Sequence, residues 1–258
     1  MRPRTVRFAA ATTAIGVALV TVVVTVLHPG GGDTTAATFA SFAASNDWTV
    51  VHLLQFFGMA LLLGGLLALF RVLAGNRERL HWLGFFGAVA AAVALVLSAV
   101  VFATDGVANK FAVDTWVSAA PAAKPSRFAA AEALRWLEIG TTSYQELMLG
   151  ISLALLGILI VVTRRLARTI GYVLGLSGLA FVVAGWMIGL DGFTPTDSMP
   201  TQLAYIALLV AMIWLVATAS RIRQTESTRV RGSEPGEPTA VPTQRTAAQD
   251  AAEKQGLA

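Results

Sequence analysis

Cysteine is absent from the 258 residues, and histidine occurs only three times. The first absence excludes disulfides, a thiolate nucleophile and thiolate-bound metal. Charge is scarce too, at 13% Asp, Glu, Lys and Arg, against roughly 25% in average proteins. None of the 19 Lys and Arg falls within the six long apolar stretches at 8–27, 48–70, 80–103, 144–162, 170–190 and 201–219, where Glu146 is the only acid. The chain also lacks a Walker loop, a Gly-x-Ser-x-Gly elbow, a His-Glu-x-x-His helix and a dinucleotide fingerprint. Nucleophile-based enzymology therefore has no foothold, and no cofactor is expected.

What remains is predominantly apolar: 55% of residues, with a mean hydropathy of +0.67. A hydrocarbon layer about 30 Å thick is crossed by roughly 20 apolar residues in a helix, and each of the six stretches has that length. Strands of a membrane barrel would alternate in polarity over about ten residues, a pattern this chain does not show. The expected fold is all-α: a polytopic membrane protein with six transmembrane helices in residues 1–220. The tail at 221–258, rich in Pro, Thr, Glu, Arg and Gln, buries too little apolar surface to offset chain entropy and is expected to be disordered.

The basic residues sort by connection. Arg2, Arg4 and Arg7 precede the first stretch; Arg71, Arg77 and Arg79 fill the second connection, and Arg164, Arg165 and Arg168 the fourth. The first and fifth connections hold none, and the long third one mixes its four with acids. Lys and Arg collect on the cytoplasmic side of inner membranes. Both termini are therefore expected in the cytoplasm, with the protein in a bacterial plasma membrane. The first stretch, preceded by arginines, is like a signal peptide, but it exceeds the usual core of about 7–15 residues and is expected to be an anchor helix. The net charge of +4 and pI near 10 reflect helix-end cations that hold orientation and meet anionic lipid. The expected partners are the lipid bilayer and other proteins, with no nucleic acid. Trp48 and Trp186 are expected at the external interface, and Trp82 and Trp214 at the cytoplasmic one.

Small residues recur at Gly84, Ala88, Ala91 and Ser98, and with the same spacing of 4, 3 and 7 at Gly171, Gly175, Gly178 and Gly185. At about 100° per residue each set lies on one helix face, and small faces let helices approach closely in lipid. Each set is followed by Asp-Gly. The pattern predicts two parallel hairpin repeats (helices 2–3 and 4–5), with the fifth span central in the bundle.

Candidate chemistry gathers on the external side. Asp105 and Asp191 are expected at helix ends, with Gly106 and Gly192 in the left-handed position that stops a helix. His52 opens the second span one turn before Gln55, and His28 ends the first. His28, His52, Asp105 and Asp191 offer nitrogen and oxygen ligands suited to zinc or another divalent ion, although no pair has a local ligand spacing. Asp105, Asp191, His52, Gln55 and Lys110 form the candidate ligand-binding set. The third connection, 104–143, is expected to form a partly helical cap. A helix at 126–140 would either turn Glu132, Arg135 and Glu138 to water as a charged stripe or form a cap in which Lys110, Arg127 or Arg135 pairs with the aspartates. Ser143 and Glu146 fit a capping box that opens the fourth span.

Residues 39–58 (FASFAASNDWTVVHLLQFFG) and 105–116 (DGVANKFAVDTW) together resemble segments of multi-pass membrane proteins of GC-rich bacteria that have no assigned activity. The similarity extends over 39–162. It implies bacterial membrane residence and no particular chemistry. The expected function is non-enzymatic binding, sensing or scaffolding through the external face. The alternatives are a transporter of a small solute, proton or cation, and a metal-dependent membrane hydrolase.

Overall fold

The computed structural model describes residues 3–28, 31–74, 78–164 and 166–232. Its elements are α1 (Pro3–Val22), α2 (Thr35–Ala44), α3 (Trp48–Ala74), α4 (Glu78–Ala103), α5 (Lys110–Ser118), α6 (Lys124–Thr163), α7 (Arg168–Asp191) and α8 (Pro195–Gly232), with no strand among the described residues. Two π-helical turns, Val23–Leu27 and Thr104–Asn109, follow α1 and α4. Among the described residues, six helices are long and apolar enough to cross a membrane. The chain is thus an all-α, multi-pass membrane protein. Chain contacts divide it into two units, Met1–Arg221 and Ile222–Ala258. In the second, helix continues to Gly232 where disorder is expected from 221, because Arg, Gln and Glu are good helix formers. Residues 233–258 lie outside the described residues.

Small residues set the packing. An added Cβ on Gly178 would lie 2.6 Å from the carbonyl oxygen of Gly150, and one on Gly150 would lie 2.6 Å from that of Gly178. Gly171 and Gly157 oppose each other in the same reciprocal way, and Gly185 lies against the backbone of Ser143. The contacts step by seven residues along both helices, so α6 and α7 run antiparallel at near-backbone contact. With no hydrophobic effect between helices in lipid, such approach supplies the dispersion energy that holds them together. Gly175 is different: nothing lies within 4 Å of its added Cβ. α1 meets α3 through Gly16 and Gly58.

The most buried span is α6. That corrects the expectation that α7, with its glycine face, is central. The reason is that α6 carries a matching small face at Ser143, Gly150 and Gly157, along with a buried leucine stripe at Leu149, Leu153 and Leu156. Away from the cap the interior is mostly apolar, with Leu62, Leu66, Leu69, Leu73, Leu159 and Leu208 in its core and the buried hydroxyls of Thr13, Ser152 and Ser177 bonded to backbone carbonyls.

The cap comprises α2, α5 and the first half of α6 around a second core of Phe39, Phe42, Trp48, Val113 and Ala131. The Thr34 hydroxyl caps α2 by accepting from the Ala37 N–H at 3.1 Å. Trp48 is wholly buried in this core, so it is not the interfacial anchor expected of it, whereas Trp82 and Trp186 are exposed.

Candidate functional site

Two expected helix ends do not exist, and their absence builds the site. Asp105 and Gly106 do not terminate α4. They lie in the π turn Thr104–Asn109, which leads directly into α5, and Gly106 has no positive φ. A π turn widens the helix and leaves carbonyls available to side chains. Two partners on α3 use them: the Trp48 indole N–H donates to the Asp105 carbonyl at 2.7 Å, and the Thr49 hydroxyl to the Gly106 carbonyl at 2.8 Å. Gly106 lets α3 come this close, since an added Cβ would sit 2.5 Å from the His52 Cβ.

Ser143 is likewise not an N-cap. It lies inside the 40-residue helix α6, and its hydroxyl donates to the Gly185 carbonyl at 2.8 Å. Because α6 is continuous from Lys124, Glu138, Thr142, Gln145 and Glu146 share one face, and that face points inward. Glu138 is 3% exposed and Glu146 is 6% exposed, so neither belongs to a solvated stripe or a capping box.

These segments bring His52 to Asp105. The Nε2 of His52 lies 2.8 Å from Asp105 Oδ2, and its Nδ1 lies 2.7 Å from the Trp48 carbonyl. The carbonyl can only accept, so Nδ1 carries a hydrogen. A single proton then lies between Nε2 and the carboxylate. Asn109 donates through Nδ2 to Glu138 Oε2 at 3.1 Å and, more distantly, to Asp105 Oδ1 at 3.4 Å. Arg135 closes the chain, one guanidinium nitrogen donating to both Glu138 oxygens at 2.7 Å, with its carbon 4.7 Å above the Phe193 ring. Removing two carboxylates from water is costly unless they are paired. The cations of Arg135 and, when protonated, His52 offset that cost.

The expected set divides. His28, His52 and Asp105 come together, each offering a ligand atom within 4.8 Å of the other two. The His28 ring packs 5.1 Å from that of His52 and 5.2 Å from that of Trp48. Gln55 is buried nearby on α3. Asp191 stands apart. It ends α7 beside Gly192, which has the expected positive φ of 74°, and it lines a separate recess of about 310 Å³ with Glu132 and Arg135. Lys110 also points elsewhere, donating to Asp114 Oδ1 and to the Ala43 carbonyl, both at 2.8 Å.

Beside the cluster is a cavity of about 420 Å³ whose polar lining includes His28, Gln55, Asp105, Glu138, Gln145 and Glu146. Glu146 accepts from the Thr201 hydroxyl at 3.3 Å. The apolar remainder of the lining includes Val20, Val24, Phe102 and Ile206. Val24 on the first π turn and Ile206 on α8 are both exposed. Polar and exposed apolar side chains thus border the same cavity.

No protein family, curated protein or solved structure matches the chain.

Proposed function

We propose that this is a bacterial plasma-membrane protein, with both termini cytoplasmic and its cap external, that binds or senses an amphipathic molecule taken from the outer half of the bilayer. The observation that carries the reading is the cavity itself. Carboxylates and amides line it together with the exposed apolar side chains of Val24 and Ile206, which would meet lipid in a membrane. A polar head with hydrogen-bond donors would meet Asp105, Glu138 and Glu146, while an alkyl chain left through the gap between α1 and α8. The leucine-rich cluster beyond the cavity favours a binding role over transport.

The test uses the full chain in lipid nanodiscs and, as probe, dodecylamine carrying a nitrobenzoxadiazole at the end of its chain. Wild-type protein is expected to bind the amine in preference to the same probe with a carboxylic acid head. Ile206→Trp, which fills the opening, and Glu146→Gln are each expected to weaken binding by about tenfold, a loss of ~1.4 kcal/mol. Equal binding of amine and acid, with neither substitution having an effect, would refute the proposal.

A further inference from the structure

We infer that His28, His52 and Asp105 form a binding site for a divalent metal ion of the zinc class. The set is two imidazoles and one carboxylate, donors that suit zinc and neighbouring transition metals. Their ligand atoms already lie within 4.8 Å of one another. Two ligands with bonds of about 2.0–2.1 Å at a tetrahedral angle stand roughly 3.3 Å apart. The present 2.8 Å between His52 Nε2 and Asp105 Oδ2 thus needs to open by about half an ångström, with the shared proton displaced.

Three independent features indicate that the set is built rather than accidental. His52 directs Nδ1–H to the Trp48 carbonyl, which leaves Nε2 as the coordinating nitrogen, the arrangement that orients most metal-bound imidazoles. Both other ligands are positioned by π turns: His28 directly follows Val23–Leu27, its N–H bonded back to the Val23 carbonyl at 3.0 Å, and Asp105 lies within Thr104–Asn109. Such turns are rare and concentrate at functional sites. Thirdly, Asn109, wholly buried next to Asp105, has a side-chain oxygen with no hydrogen-bond partner. A water bound to the metal would supply the missing donor. Since His28 and Asp105 both line the cavity, a metal held by them would border that space and keep one position open to a ligand that is not protein. That arrangement, three protein ligands and an open place, is the one found in catalytic rather than structural zinc sites.

Cobalt(II) is the probe, added to the metal-stripped full chain in detergent and followed by its visible ligand-field absorption. Wild-type protein is expected to take up one equivalent, which zinc(II) displaces. His28→Ala and Asp105→Asn are each expected to weaken uptake at least tenfold, and Asp191→Asn to leave it unchanged. His28 is only partly buried, so its variant keeps the fold, as circular dichroism would verify, and decides the matter if Asp105→Asn does not fold. The inference does not depend on the amine ligand: Glu146→Gln, which weakens the amine, leaves cobalt uptake at the wild-type level. Wild-type uptake no greater than that of His28→Ala overturns the site, as does undiminished uptake by Asp105→Asn.

Discussion

Gly106 shows how narrow the tolerances of the site are. Its missing side chain is what lets α3 and the π turn touch, for an added Cβ would also lie 3.1 Å from the His52 Cγ. Overpacking of a well-filled contact costs about 1–3 kcal/mol. Gly106→Ala is therefore expected to lower the thermal unfolding midpoint in detergent by several degrees, and to weaken cobalt uptake because Asp105 shifts with the backbone. An unchanged midpoint would show that α3 yields easily there. His28, His52 and Asp105 were open to inspection in the sequence as scarce polar residues near span ends. Glu138, Asn109 and Trp48 were not, for a reason particular to each. Glu138 has Arg135 one turn away and passes for a surface pair. Asn109 follows an Asp-Gly that reads as a helix stop. Trp48 adjoins Asn46-Asp47 and reads as an interfacial ring.

At the level of helices, the apolar spans were legible because the bilayer imposes their length, whereas helix continuity was not. Ordinary turn chemistry breaks α6 near Gly140 and α4 at Gly106. In the structure both run on, α6 as one helix from Lys124 to Thr163 and α4 through a π turn into α5. On an unbroken α6 the run Glu138, Thr142, Gln145, Glu146, Leu149 and Leu153 forms one face at helical spacing. The two Asp-Gly pairs, alike in sequence, differ in structure, one inside a π turn and one at a true helix end. The glycine face of α7 makes a sharper prediction. Gly178→Leu meets the backbone of Gly150 and Ala154 and is expected to destabilise the bundle by at least ~2 kcal/mol, whereas Gly175→Ala enters open space and is expected to be neutral. Thermal unfolding of the two variants side by side checks it, and similar midpoints would mean that α6 and α7 do not pack through these glycines.

For the molecule as a whole, the missing cysteines are an experimental convenience, because any introduced thiol is the only one. Cysteine at Ser118 on the cap is expected to react with a membrane-impermeant maleimide added to intact cells. Cysteine at Thr169, beside the fourth connection, is expected to react only after permeabilisation. Both sites are exposed in the fold, so a reversed pattern would mean that the chain is threaded the other way. With that reversal the cavity would draw its ligand from the cytoplasmic leaflet. The metal site would be unaffected, since its geometry takes no account of which side is outside.

The stepwise glycine contacts between α6 and α7 bear on how the chain is made as well as on how it rests. Backbone contact at intervals of seven residues lets neighbouring helices recognise each other without the remaining spans. The pair can dock as soon as α7 leaves the ribosome and enters the bilayer. Glu138 and Glu146 would by then be fixed on one rigid hairpin, against which α8 later closes the cavity wall, so assembly ends with the wall through which the ligand would enter.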